Sequence, residues 1–314
     1  MQVTKGAQVR RGGEAIATGG ARARRRSRAS LTPYLYLAPM VLMVCAFLLY
    51  PAADTLWLSF TNWDGLHVAQ FVALGNYLSL PSDPAFVGSI VNTVIWVVGL
   101  MVFQVLLGLL LAVAVNASPL AELFKRILYV PATISGGAIG VIWYFVFDPS
   151  QGILSTTLRG LHLGFLTREW LGTPPYNTMA MIVAAIWQGL GPVIILYLVG
   201  LQSIPRDPLE AAQVDGAGAW RLFRYVTLPL LRPMTVVVVG INLINSFKVF
   251  DIIWVMTQGG PYRSSETLAV TMYRDTFVSF QLGYGSSVAM VLTLVVFVVS
   301  IPYIRSMFRR VEVQ

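Results

Sequence analysis

Apolar runs approaching 20 residues recur along this chain, and runs of that length restrict what its backbone can become. About 20 apolar residues in helical form cross a hydrocarbon core roughly 30 Å thick. Within lipid each backbone N–H and C=O must pair inside its own segment, which a helix achieves and an open strand does not. Six spans are expected, at about 34–60, 87–115, 127–147, 177–201, 233–257 and 286–304. A closed barrel would need shorter strands of alternating polarity, and these runs do not alternate. Only 11% of the residues are charged, too few for the surface of a water-soluble protein of this size. The expected fold class is an all-α membrane protein of six transmembrane helices, in one domain over 33–310.

The net charge of +8 raises the question of nucleic acid, but its placement answers differently. Eight basic residues precede the first span, and Lys125, Arg126, Arg206, Arg221, Arg224, Arg232, Arg305, Arg309 and Arg310 bring one side to 17. The other side carries only Arg159, Arg168, Arg263 and Arg274. The positive-inside rule therefore puts both termini and the 202–232 loop in the cytoplasm. The basic segment 1–32 is read as a disordered tail that sets topology and meets lipid headgroups, with no nucleic-acid partner. The apolar run after it is too long for a secretory h-region, so a retained first helix is expected. Cys45, the one cysteine, lies in that span as a packing residue.

Polar and basic residues gather between the fourth and fifth spans. Asp207 can cap a helix there, Pro208 suits its first turn, and Glu210 stands three residues on as in a capping box. Asp215-Gly216 signals a turn, since glycine reaches backbone angles that other residues avoid. A second helical piece follows, with Trp220 and Phe223 on one face and Arg221 and Arg224 on another. Pro229 and Pro233 separate this unit from the next span. An ordinary amphipathic loop at a membrane surface is the plain alternative. Yet Glu210-Ala211-Ala212, three residues, Gly216, then Leu228-Pro229 resembles the coupling loop of permease subunits of binding-protein-dependent ABC importers. Val226 stands where that pattern has isoleucine. The resemblance implies that Glu210, Ala211, Ala212, Asp215, Gly216, Phe223, Leu228 and Pro229 face an ATPase partner, within the type I importer fold.

A second likeness covers Phe250 to Pro261, with its Gly259-Gly260-Pro261 turn, and continues through Glu266-Thr267-Leu268, Tyr273, Phe277 and Gly283-Tyr284-Gly285. It is similar to sugar-type permeases, and to the maltose-permease first-subunit type in particular. Gly75-Asn76-Tyr77 and Asn92-Thr93 add weaker patches of the same kind.

The usual ATP-hydrolysing apparatus is missing. A phosphate loop needs a lysine after its glycines, and none of Lys5, Lys125 and Lys248 has that setting. Ser135-Gly136-Gly137 superficially matches an ABC signature but is read as lying inside an apolar helix, with Gly136 and Gly140 forming a close helix contact. Two histidines and one cysteine make no metal-ligand cluster. The chain is expected to bind no cofactor and to be no enzyme; ATP and Mg would sit on partner subunits.

The fifth span is the most polar. Asn242, Asn245, Ser246, Lys248 and Asp251 fall within ten residues, and polar groups at that depth face a bundle interior or a watery path. They are read as the lining of a solute pathway, with Phe247, Phe250 or Trp254 offering apolar surface to sugar rings. The alternative is hydrogen bonding between helices, with a structural Lys248–Asp251 pair at the spacing of neighbours on a helix. Gln104 and Gln188 are further pathway candidates. The family resemblance then implies a permease subunit in a bacterial inner membrane, importing a sugar or oligosaccharide. Its partners would be a second homologous permease, two ATP-binding cassette subunits, an external solute-binding protein and membrane lipid. A polyol or glycerol phosphate permease, a receptor or scaffold without transport, and a secondary transporter are the rivals.

Overall fold

The computed structural model describes residues 32–311. The 1–31 tail and its eight basic residues lie outside the described residues. The chain divides at Pro51 into two units, 1–50 and 51–314. Twelve helices organise the description: α1 (Leu35–Leu58), α2 (Pro84–Asn116), α3 (Ala121–Thr133), α4 (Gly136–Val146), α5 (Ile153–Gly160), α6 (Tyr176–Gln202), and then α7 (Arg206–Val214), α8 (Ala219–Leu230), α9 (Arg232–Phe247), α10 (Asp251–Met256), α11 (Leu268–Tyr273) and α12 (Leu282–Val311). Among the described residues there is no strand, only an isolated bridge between Thr61 and Phe71.

Four helices are long and apolar enough to cross a membrane: α1, α2, α6 and the Leu282–Tyr303 part of α12. α2 starts where local chemistry directs. Asp83 is extended, its carboxylate accepts from the Ala85 N–H at 2.9 Å, and Pro84 fills a first-turn position that needs no donor.

The other two expected spans are not single helices. In 127–147 the chain bends by 99° between α3 and α4. Pro131 tightens the end of α3 into a 3₁₀ turn, Ile134 is extended, and Ser135 caps α4 by accepting from Ala138 at 3.3 Å. Ser135-Gly136-Gly137 thus opens a helix instead of lying inside one. Span 233–257 is interrupted at Lys248–Phe250, where φ/ψ of −99°/7° at Lys248 and −135°/−59° at Phe250 depart from the helix. Lys248 and Asp251 lower the hydropathy here, but a polar stretch by itself does not distinguish a break from a continuous helix with a polar face. The Val249 carbonyl freed by the break accepts from Thr267 Oγ1 at 3.0 Å, so a distant side chain satisfies it. A further bend of 66° separates α8 from α9.

The unit 51–314 packs around two main cores. One joins Trp96, Ile139, Met181, Ile253 and Val270, from α2, α4, α6, α10 and α11. The other joins Leu109, Val193, Tyr197, Leu231 and Val238, from α2, α6 and the α8–α9 bend. Small residues let the helices approach. A Cβ on Gly136 would lie 3.0 Å from Asp251 Cβ, and one on Gly140 2.9 Å from Val255 Cβ, so α4 and α10 meet through the expected glycine pair.

Candidate functional site: a polar cavity and an exposed helical turn

A cavity of about 310 Å³ opens where the helices break. Gln104 reaches it from a π-helical turn in α2, Gln188 from α6, Asn242 and Asn245 from α9, Lys248 from the gap, and Asp251 from the start of α10. Phe250 lines it as well. Two glutamines and two asparagines thus converge from three helices on one space.

Their hydrogen bonds show which groups remain available. Gln188 Nε2 donates to Ile134 O at 2.9 Å, satisfying a carbonyl exposed by the α3–α4 bend. Asn242 Nδ2 donates to Val238 O at 2.9 Å, one turn back on α9. Asn245 and Gln104 make no side-chain hydrogen bond within the described chain, although Gln104 is buried. Ser246 does not line the cavity: its hydroxyl is committed to Leu243 O at 2.7 Å.

Lys248 and Asp251 form no ion pair. None of the salt bridges within 4.0 Å among the described residues joins them. Their three-residue spacing would place them together on a continuous helix, but the break falls between them. Both remain on the cavity wall as separate charges.

The second constellation is the 206–230 segment. α7 ends in a Schellman arrangement: Gly216 sits at φ +78°, its N–H donates to Gln213 O at 3.0 Å, and Ala217 N–H donates to Ala212 O at 2.9 Å. The turn expected at Asp215-Gly216 is therefore present. The start of α7 differs. Helix geometry begins at Arg206 with extended Pro205 as its cap residue, so Asp207 is already in the first turn and makes no capping bond. The capping box with Glu210 is thus absent, and Asp207 contributes only its charge near the positive helix end. Trp220 and Phe223 meet in a tilted contact with centroids 6.0 Å apart on α8, as their spacing predicts.

Glu210, Ala211, Asp215, Gly216 and Pro229 are exposed, whereas Ala212, Phe223 and Leu228 are partly buried. Val214, Trp220 and Tyr225 present large apolar surface to solvent. Glu210, Arg206 and Arg221 form no ion pair within the described chain. Such a charged and apolar face, left unpaired, suits docking.

A third network escaped sequence reasoning. Asn92 Nδ2 donates to Ser264 O at 2.7 Å and Glu266 O at 3.0 Å, while Asn177 Nδ2 donates to Gly260 O and to Ser264 Oγ, each at 3.0 Å. Helices α2 and α6 thereby grip the loop that follows α10. Glu266 is fully buried and pairs with both Arg263, at 2.8 Å, and Arg274. Arg263 also reaches Asp275 at 3.2 Å. Burial pushes the Asp275 carboxyl up to about 6, with the Arg263 cation opposing the rise and the charges of Glu266 and Asp83 adding to it. The available signal was a lone glutamate flanked by arginines three before and eight after it.

Comparison with known proteins agrees with this architecture. Residues 104–310 match the family described as binding-protein-dependent transport system inner membrane component. A probable ABC transporter permease protein of Pyrococcus horikoshii is 36% identical over 87% of this chain and 94% of its own length. The multiple sugar-binding transport system permease protein MsmF of Streptococcus mutans is 35% identical over 86% and 92%. The sn-glycerol-3-phosphate transport system permease protein UgpA of Brucella abortus is 30% identical over 90% and 96%. Among solved structures, a chain of a bacterial alginate ABC transporter, in complex with an alginate pentasaccharide-bound periplasmic protein, superposes with a TM-score of 0.79. It is 23% identical, covers 89% of this chain and 94% of that one, and shares the fold.

Proposed function

Since this chain belongs to the family of binding-protein-dependent transport system inner membrane components, we propose that it is one permease subunit of an ATP-driven importer for a sugar or oligosaccharide. An external solute-binding protein delivers the solute, a second homologous permease completes the pathway, and two ATP-binding cassette subunits hold ATP and Mg and do the hydrolysis. The chain itself is not an enzyme. In this reading six crossings place both termini and the 202–232 loop in the cytoplasm, with α3–α4 and α9–α10 as broken spans.

The observation that carries the reading is the cavity at the breaks. Amide side chains from α2, α6 and α9 supply donors and acceptors to a hydroxyl-rich solute, and Phe250 supplies an apolar wall. ATP-driven closure of the cassette subunits would press on the α7–α8 turn through Glu210, Ala211, Ala212, Asp215, Gly216, Phe223, Leu228 and Pro229. The α8–α9 bend passes that displacement to Asn242 and Asn245, switching the pathway from inward-facing to outward-facing.

A second reading, uptake of a glycerol phosphate, is favoured by one feature: Lys248 is a cavity-lining cation without an ion-pair partner among the described residues. Proteoliposomes carrying the whole complex separate the two. ATP-dependent uptake of tetrasaccharides in the presence of the binding protein supports the sugar reading. Uptake of sn-glycerol 3-phosphate alone would replace it, and a chain that purifies without cassette subunits would end the transport reading. For topology, cysteines at Arg168, Arg221 and Arg263 in a Cys45→Ser background are read with an impermeant thiol reagent on intact cells. Positions 168 and 263 should react and 221 should not; the opposite pattern would invert the orientation.

A further inference from the structure

Four aromatic rings lead away from the cavity in unbroken contact. Phe250, on the cavity wall, stacks on Trp254 with centroids 5.7 Å apart and planes at 15°. Tyr273 of α11 touches both, at 4.8 Å from Phe250 and 4.9 Å from Trp254. Phe277 continues the line 5.3 Å beyond Tyr273 and is 60% exposed. Arg274 lies 5.4 Å from the Trp254 centroid and is itself held by Glu266 and the Gln258 carbonyl.

Several properties separate this ladder from ordinary core. Phe250 and Trp254 pack against the first core, whereas Tyr273 and Phe277 belong to none of the buried clusters, and all four rings keep part of their surface open. The Trp254 Nε1–H and the Tyr273 hydroxyl form no hydrogen bond within the described chain, yet neither is a buried orphan. Aromatic faces with an accessible polar handle bind ligands that are apolar on one side and polar on the other. A pyranose has that character, with C–H groups on its faces and hydroxyls around its rim. Arg274, anchored by Glu266 and Gln258, holds its cation over the Trp254 ring and polarises it.

We propose that Phe250, Trp254, Tyr273 and Phe277 form a track on which successive sugar rings stack between the exposed Phe277 end and the amide-lined cavity. This deepens the sugar reading and rests on it. Successive ring contacts let a saccharide make one before releasing the last, so no step requires it to be stripped of partners. The hydrogen-bonding amides at the cavity end supply the last set of partners, and the ATP-driven switch gives the movement its direction.

The test uses the complete complex in proteoliposomes with its binding protein, offering maltotetraose, xylotetraose and cellotetraose, with sn-glycerol 3-phosphate as a ringless probe. Tyr273→Leu and Phe277→Leu remove a ring while keeping bulk. Each should raise the KM for the transported tetrasaccharide about tenfold, the equivalent of one lost aromatic contact. Tyr273→Phe and Phe277→Trp, which keep a ring, should stay near wild type, and basal ATP hydrolysis and complex yield should not change. If the leucine variants transport as wild type does, the track is refuted and the sugar reading stands. If instead they lose the second permease on purification, these rings hold a subunit interface, and the track is again refuted. Wild-type complex that imports sn-glycerol 3-phosphate and no tetrasaccharide removes both.

Discussion

Gly108 offers a quantitative test of how α2 meets α6. A Cβ there would lie 2.3 Å from Val193 Cγ1 and 3.2 Å from Val193 Cβ, against an ordinary contact of at least 3.4 Å. Val193 is 3% exposed, and a valine in a helix is nearly confined to one rotamer, so it cannot swing aside. Gly108→Ala therefore forces the helices apart, with an overpacking cost of about 1–3 kcal/mol. Better helix propensity offsets about 0.5–1 kcal/mol of that, leaving a net loss of up to about 2.5 kcal/mol. Gly88→Ala on the same helix meets nothing within 4 Å and should gain the propensity term alone. Val193→Ala by itself empties buried volume at about 1–2 kcal/mol. In the double variant the new methyl occupies the vacated space, and stability should return to within about 0.5 kcal/mol of Val193→Ala. Unfolding by SDS titration in mixed micelles measures all four variants. Strict additivity of Gly108→Ala and Val193→Ala, or equal behaviour of Gly108→Ala and Gly88→Ala, would refute the contact.

Three further outcomes are expected. Asp275 has a folded-state pKa of about 6, above its unfolded value near 4, so the folded state holds the proton more tightly. Its contribution to stability is present below about pH 4 and is lost as pH rises through about 6; melting curves between about pH 3.5 and 7 should show this slope, and Asp275→Asn should flatten it. Gly216→Val should cost about 1–2 kcal/mol of backbone strain at φ +78°, although the site is sterically open. Its loss should appear as weaker recovery of cassette subunits and lower stimulated ATPase activity, with chain yield retained. Asn92→Ala deletes a donor shared by two loop carbonyls, at about 1–3 kcal/mol. Hydrogen exchange of 258–267 should accelerate in that variant, and unchanged protection would mean that the loop is held elsewhere.

What could be read in advance followed the range of the interactions. The Gly216 turn was legible because a Schellman end is made by six consecutive residues and needs no tertiary partner. That Gln104, Gln188, Asn242 and Asn245 share one cavity wall was legible because polar groups in apolar runs are costly unless they meet. The Lys248–Phe250 break was not, since its compensating bond comes from Thr267, and no local residue announces it. The unmade Lys248–Asp251 pair is a consequence of the same gap. Asp207 failed as a cap because Pro205, extended at ψ 144°, let the helix start two residues sooner. The Asn92 and Asn177 clamps span 172 and 83 residues of sequence, a distance over which only folding can reveal a partner.

The α8–α9 bend has a mechanical meaning. Leu231, 1% exposed, sits at the corner, and a Cβ on Gly200 would come within 2.7 Å of its Cδ1 and 2.8 Å of Met234 Cβ. The corner is thus pressed against α6 with no spare room, and in the coupling proposed above it would serve as a fulcrum. At 1.5 Å per residue the 12-residue arm on the Gly216 side is about 18 Å long, and the 16-residue arm ending at Phe247 about 24 Å. Arms so nearly equal return roughly the displacement they receive. A push of a few ångströms on the exposed turn would arrive beside Asn245 at similar size, and shaving Leu231 to alanine would let the lever slip while leaving both its ends intact.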